Sequence, residues 1–353
     1  MIKRLLKDFR WGVLPLPGRV LAFVFFVALF ILPLFVDKSS VLLTLVFSNI
    51  FVIFAVSWDL LSGYTGLFNF GHGVYFGVGA YTSALLYKYL GWQPWATIPL
   101  AVVAATLTGL LTCLPALRLR GTYFSLLTLS FPLVVYGLVR AFPDISGGAR
   151  GIWGLPRIAG SLVGEYYVCL IIMTVSVLIM WKLTEFGNKN VRTGILFRAI
   201  QEDEITARAS GINTITYKLV AFAVGGLFSG MAGGLYTHIL RLASPGTLST
   251  VLSFQVVVWV IFGGMGTIYG PVAGVYVLYP LMQILRPLAQ YRLIVLFAGL
   301  VAILLYMPEG FAVWIRGKME RECPRCKLAN PAWRRECRAC GVSLSGYIPR
   351  KTS

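Results

Sequence analysis

Ten apolar stretches, nearly free of charge, divide this chain and run approximately over residues 18–36, 41–61, 67–87, 95–117, 122–140, 164–183, 218–239, 250–264, 270–284 and 292–306. A helix needs about 20 apolar residues to cross the hydrocarbon core of a bilayer, and within that core each backbone polar group must be satisfied by the segment itself. Such a pattern predicts an all-α polytopic membrane protein. Gly and polar residues interrupt the third, eighth and ninth stretches, so eight to ten transmembrane helices are expected. With 58% of residues hydrophobic and only 12% charged, a soluble globular domain is excluded.

The net charge of +18 then reads as orientation before it reads as nucleic-acid binding, because Lys and Arg gather on cytoplasmic loops. Lys3, Arg4, Lys7, Arg10 and Arg19 precede the first stretch, which places the N-terminus in the cytoplasm. Ten crossings would put Arg118 and Arg120, the loop 185–217 and the basic tail after Trp314 on that same side. The loop 142–163 is the exception, since it carries Arg150 and Arg157 yet falls outside. Residues 18–36 form too long an apolar run, without a clean small-residue cleavage site, for a signal peptide. The expectation is a multi-pass protein of the cell membrane with both termini cytoplasmic.

Polar sequence interrupts this pattern most fully at residues 192–213, RTGILFRAIQEDEITARASGIN. Arg198, Glu202, Asp203, Glu204 and Arg208 alternate there with Ile200, Ile205, Ala207 and Ala209, as in a short amphipathic helix that fits a groove on a partner or simply faces solvent. Gly211 and Asn213 are expected to stop it. No Gly-x-x-x-x-Gly-Lys-Ser/Thr phosphate loop occurs in the sequence, so any ATP hydrolysis belongs to another polypeptide and the chain is not read as an enzyme.

Of the 37 glycines, clusters fall at 63–79, 225–234 and 263–270, which reads either as close helix packing or as broken helices lining a path. Intramembrane ionisable groups are few, which counts against an ion-coupled carrier. Asp59 suits packing or capping, His72 suits either backbone support or substrate contact, and His238, Arg241 and Glu165 are expected at the interfaces. Phe68, Asn69, His72, Tyr75 and Phe76 are the candidates for a substrate path.

Four of the six cysteines form Cys323-Pro-Arg-Cys326 and Cys337-Arg-Ala-Cys340. Two such knuckles can close a tetrahedral structural zinc site, with a redox dithiol pair as the alternative. A full thiolate shell leaves no open position for catalysis, and so small a unit would fold on its metal. Arg321, Arg325, Lys327, Arg334, Arg335 and Arg338 with Trp333 suit a protein or lipid contact ahead of nucleic acid. Cys113 and Cys169, alone in apolar stretches, read as packing residues. The domains are then 1–315, a transmembrane unit, and 320–345, a zinc ribbon.

Several runs carry a resemblance. WDLLSGYTGLFNFGHG (58–73), FGVGAY (76–81), GTYFSLLTL (121–129), SGGARG (146–151), RAIQEDEITARASGIN (198–213), FGGMGTIYGP (262–271) and MPEG (307–310) resemble the branched-chain amino acid ABC transporter permeases, over nearly all of the chain up to Trp314. The elements at 121–129 and 146–151 favour the LivM-type half of the permease pair, and the ribbon departs from the family pattern. The resemblance implies an ATP-driven importer for branched-chain or other hydrophobic amino acids, with urea or short-amide transport as an alternative. It also implies a LivH-like second permease subunit, two ATP-binding subunits and an extracytoplasmic substrate-binding protein. By the same resemblance Arg198, Glu202, Asp203, Glu204, Ala207 and Gly211 belong to the loop that couples to the ATPase.

Overall fold

The computed structural model describes residues 17–36, 38–117, 119, 121–184, 193–286, 298, 301, 305–307, 309–326, 329–337 and 339–343. Lys3, Arg4, Lys7, Arg10, the Arg19 side chain, Arg118, Arg120, Arg192, Lys327, Arg338 and most of the tenth expected crossing lie outside the described residues.

The apolar runs ahead of the polar interruption form helices: α1 (Pro17–Ile31), α2 (Ser39–Trp58), α3 (Gly73–Leu90), α4 (Pro94–Ala116), α5 (Thr122–Ala141) and α6 (Leu162–Thr184). After the polar interruption come α7 (Thr193–Glu202), α8 (Glu204–Ala209), α9 (Thr214–Leu240), α10 (Thr250–Gly263), α11 (Tyr269–Ile284) and α12 (Phe311–Met319). Among the described residues five helical segments are long and apolar enough to cross a membrane: Ser39–Gly63, where a wide turn prolongs α2, and α4, α5, α6 and α9. The shorter α1, α10 and α11 and the more polar α3 pack in the same bundle. α2 is hydrophobic all round and lies at its centre, every residue from Val46 to Thr65 being buried, as such a helix must.

Contacts sort the helix ends into two groups. At one end Gly18 N–H donates to Glu320 Oε1 at 3.0 Å, Thr193 Oγ1 donates to Leu183 O at 2.8 Å, and Arg198 reaches Gly266. At the other, Tyr166 OH donates to Leu29 O at 2.7 Å, Lys88 Nζ donates to Ile145 O at 3.1 Å, and two short strands, β1 (Ile152–Trp153) and β2 (Leu242–Ala243), pair antiparallel. The start of α1 and the cysteine-bearing tail therefore share one end, as an even number of crossings requires. Arg157, part of the exceptional loop, lies 3.9 Å from the buried Glu165 carboxylate, so part of that loop's positive charge is offset locally. Glu165, in the first turn of α6, and His238, in the last turn of α9, are both buried within the protein. His238 Nε2 meets Ser83 Oγ at 2.9 Å and Nδ1 meets Pro156 O at 3.0 Å.

The expected crossing at 67–87 is displaced, because residues 64–72 leave the helix and fold back along α2 before α3 begins. Residues 241–249 do the same between α9 and α10. The two units run in opposite senses: Gly73 N–H donates to Ser253 Oγ at 3.0 Å, while one turn further along α3 a Cβ on Gly77 would strike Leu248. The first turns of α3 and α10 thus lie side by side and antiparallel inside the bundle.

The glycine clusters divide between the two readings offered by the sequence. In α9 the helix is unbroken, and the absent side chains let it touch backbone: a Cβ on Gly226 would sit 2.7 Å from Ala105 O, and one on Gly233 would overlap Phe76 O. At 263–270 the helix breaks, with Gly264 at φ 118° and Gly266 at φ 73° forming the turn between α10 and α11.

Candidate functional site

The interruption at 193–213 forms two helices, not one. Asp203 adopts an extended backbone and caps α8: its Oδ1 accepts from Ile205 N at 2.8 Å and Thr206 N at 3.3 Å, and its Oδ2 accepts from Thr206 Oγ1 at 2.6 Å. The Thr206 hydroxyl and the Ile205 and Thr206 amides hold the Asp203 carboxyl below its usual range. Gly211, at φ 86°, ends α8 as expected. Asn213 instead starts α9, its Oδ1 accepting from Thr216 N at 3.3 Å.

Phe197, Ile200 and Ala207 turn inward and are buried, and Gly194 meets the backbone of Thr184 at the end of α6. Ala207 is thus part of the seat of the loop. Glu202, Asp203, Arg208 and Gly211 are exposed, as is Ile205, which at 66% exposure is an apolar side chain held out at the tip. Glu204 locks α8 to α9: its Oε1 lies 2.8 Å from Lys218 Nζ and 3.0 Å from Arg208 Nη2. The Arg208 partner is legible as an i,i+4 pair. Lys218 is not, because it belongs to the next helix.

Arg198 turns toward the bundle. Its Nη2 donates to Gly266 O at 3.1 Å and its guanidinium lies 5.6 Å from the centre of the Tyr64 ring. The N–H of the same Gly266 donates to Asp59 Oδ1 at 2.7 Å, with Asp59 fully buried. Beside it, Gly310, just before α12, packs backbone to backbone against Gly264. The α10–α11 turn is therefore gripped by the end of α2, by α7 and by the approach to α12. The sequence marked Gly266 only as one of the 263–270 glycines, since the partners of a glycine's backbone leave no mark there.

The candidate path residues lie along the break 64–72 and the first turn of α3. Asn69 Oδ1 accepts from Gly71 N at 2.7 Å, Asn69 O accepts from Trp58 Nε1 at 2.7 Å, and Tyr75 OH meets Thr112 Oγ1 at 2.8 Å. His72 Nε2 meets Ser57 Oγ at 2.9 Å, while its Nδ1 has no partner among the described residues. Asn69, His72, Tyr75 and Phe76 are buried, and Phe68 alone is exposed, at 38%. Hydrogen bonds from Ser125 Oγ to Phe68 O and from Phe70 N to Thr128 Oγ1, 2.9 and 3.2 Å, hold the break against α5.

The tail begins without a linker. β3 (Glu320–Glu322) follows α12 directly and pairs antiparallel with β4 (Ala329–Pro331). The Sγ atoms of Cys323, Cys326, Cys337 and Cys340 all lie within 4.8 Å of one another, close to the roughly 3.8 Å separation of thiolates at about 2.3 Å from a tetrahedral zinc. Backbone N–H groups of Cys340 and Ala339 push the Cys337 thiol down to about 6, and that of Cys326 lowers Cys323. Asn330 Nδ2 lies 3.6 Å from Cys337 Sγ. Four convergent sulfurs with N–H donors aimed at them can hold one metal ion as thiolates.

A family described as the permease component of the branched-chain amino acid transport system matches residues 40–306. The chain belongs to this family. It is 27% identical to the high-affinity branched-chain amino acid transport system permease protein LivM of Escherichia coli over 342 residues, 88% of this chain and 77% of that protein. It is 26% identical to the probable branched-chain amino acid transport permease protein LivH of Methanocaldococcus jannaschii, over 66% of this chain and 76% of that one. The guanosine ABC transporter permease protein NupQ of Bacillus subtilis is 24% identical over 56% of this chain and 67% of its own length. No solved structure matches this permease. These relatives are named as permease subunits, a non-enzymatic class, and the family match ends before the cysteine knuckles.

Proposed function

We propose that this permease is the LivM-type transmembrane subunit of an ATP-driven importer for branched-chain amino acids. It pairs with a LivH-like subunit, takes cargo from an extracytoplasmic binding protein, and docks two ATP-binding subunits with its partner. The observation that carries the reading is the α7–α8 surface, a capped two-helix step whose inner face is seated on the bundle and whose tip presents Ile205. A polar element anchored this firmly, with an exposed apolar side chain at its apex, suits the groove of another protein. The end carrying α7, α8 and the tail is then cytoplasmic. Residues 1–315 form the transport domain, and residues 320–345 form a zinc ribbon with Cys323, Cys326, Cys337 and Cys340 as ligands.

On this reading the break 64–72 borders the translocation path, with Phe68 at its open edge and Asn69, His72, Tyr75 and Phe76 forming the wall behind it. The similarity to a permease named for guanosine makes the cargo the point to test. Reconstituted with its partner subunits and binding protein, the permease should move leucine in an ATP-dependent manner and guanosine poorly. Ile205→Asp should then lower uptake by about tenfold or more, since a charge desolvated at an interface costs several kcal/mol. Its thermal stability should be unchanged, because the side chain touches little of its own chain. Full uptake by this variant, or preference for guanosine, would overturn the docking site or the cargo respectively.

A further inference from the structure

The strongest unassigned feature is the outer face of the tail. Between residues 316 and 343 the sequence holds eight Lys and Arg against three Glu, so even four thiolates around a divalent ion leave it basic. Its position is fixed from two sides. Glu320 Oε1 accepts from Gly18 N at 3.0 Å, tying β3 to the first turn of the apolar helix α1, and Ala332 N donates to Met319 O at 2.8 Å, seating the segment just after β4 on the end of α12. α12 itself has an interfacial composition: Trp314 is 37% exposed with Lys318 Nζ 3.6 Å from the centre of its ring, and Arg316 lies 5.1 Å from the ring centre of Tyr269, the first residue of α11. The residue following Ala332 is Trp333, 72% exposed, and Arg334 and Arg335 beside it are exposed as well.

We infer that this face, Trp333 with Arg334 and Arg335, lies on the anionic headgroups of the permease's own bilayer. An indole seats at the headgroup level of a membrane, and Lys or Arg near an anionic leaflet is drawn to its headgroups. The anchors to α1 and α12 keep the tail beside the helices that enter that leaflet, so no long search precedes contact. A free-hanging module would leave a large indole in water. A membrane-facing one buries it and satisfies both charges.

Bromolipid quenching of the full chain tests the inference. The protein is placed in nanodiscs of phosphatidylglycerol or of phosphatidylcholine, with and without acyl chains brominated near the headgroup, and the Trp333 signal is taken as the difference between the wild type and Trp333→Phe. Bromination should quench that signal about twofold or more in phosphatidylglycerol and little in phosphatidylcholine. The double variant Arg334→Glu/Arg335→Glu should lose the quenching while keeping its metal content, which shows that the ribbon still folds. Quenching that is absent, or equal in the two lipids, would overturn the inference. So would a Trp333 shielded only after ATP-binding subunits or an RNA is added, which would assign the face to protein or to nucleic acid.

Discussion

Replacing Gly233 with valine is expected to leave little or no monodisperse permease after extraction into detergent. A Cβ at this position would overlap the carbonyl oxygen of Phe76, which is backbone and cannot swing aside. Valine adds two further methyl groups, so α9 must separate from α3. That separation also opens the adjoining contacts, because Gly79 packs on Gly230 and Gly226 on the Ala105 carbonyl. Overpacking commonly costs about 1–3 kcal/mol, and here three helices are forced apart at once, so the loss should reach or exceed the upper figure. Gly137→Val on α5 is the matched control, since an added Cβ there meets nothing within 4 Å. Size-exclusion profiles and melting curves of the two variants make the comparison. A well-behaved Gly233→Val protein would mean that α3 and α9 pack more loosely than described.

Much of this architecture is legible in the sequence, because apolar length and charge placement are large signals. The runs at 95–117, 122–140, 164–183 and 218–239 match α4, α5, α6 and α9 closely. The reading loses precision where backbone decides the outcome. Gly66 and Gly71 mark the region 63–79 as unusual, yet only the fold of 64–72 against α2 and α5 shows that α3 begins at Gly73. Residues 241–249 carry few glycines, and their return into the bundle ahead of α10 left no comparable trace. The burial of His238 left no local trace, because its partners, Ser83, Thr97 and Pro156, come from distant parts of the chain.

The candidate site divides in the same way. Cysteine spacing is a local signal, and the four thiols of the tail converge as it implies. The capping carboxylate of Asp203 broke the expected single helix because a side chain that bonds backbone N–H groups ahead of it starts a helix as readily as it joins one. Asp59 was read as a packing or capping residue, and it does hold backbone, but the backbone is that of Gly266, more than 200 residues away.

Removal of the zinc proposed for the four cysteines should have the second large effect. Cys337→Ser, or a strong chelator, is expected to unfold the tail entirely, since a unit this small has almost no apolar core of its own. Trypsin would then cut at Arg321, Arg325, Arg334 and Arg335 while the helical bundle stays intact. Acid should act in the same direction. The Cys337 thiol is held below its usual value, at about 6, so its contribution as a thiolate is present at neutral pH and is lost as pH falls through the folded-state value. Metal and proton compete for the same sulfurs, so metal should be lost progressively on acidification. Metal analysis of protein dialysed across this range gives the midpoint. Retention of metal by Cys337→Ser, or a tail resistant to trypsin after chelation, would exclude a site built on these four sulfurs.

The grip on Gly266 makes the end of the bundle a lever without play. Arg198 holds the carbonyl of that residue and Asp59 holds its amide, at 3.1 and 2.7 Å, so the α10–α11 turn cannot slide past either without breaking a bond inside the protein. Arg198 ties α7 to this turn, Asp59 ties the turn to the end of α2, and Gly310 packs the approach to α12 against it. A movement of α7 at the surface therefore meets the α10–α11 turn through paired hydrogen bonds on one residue rather than through slack chain.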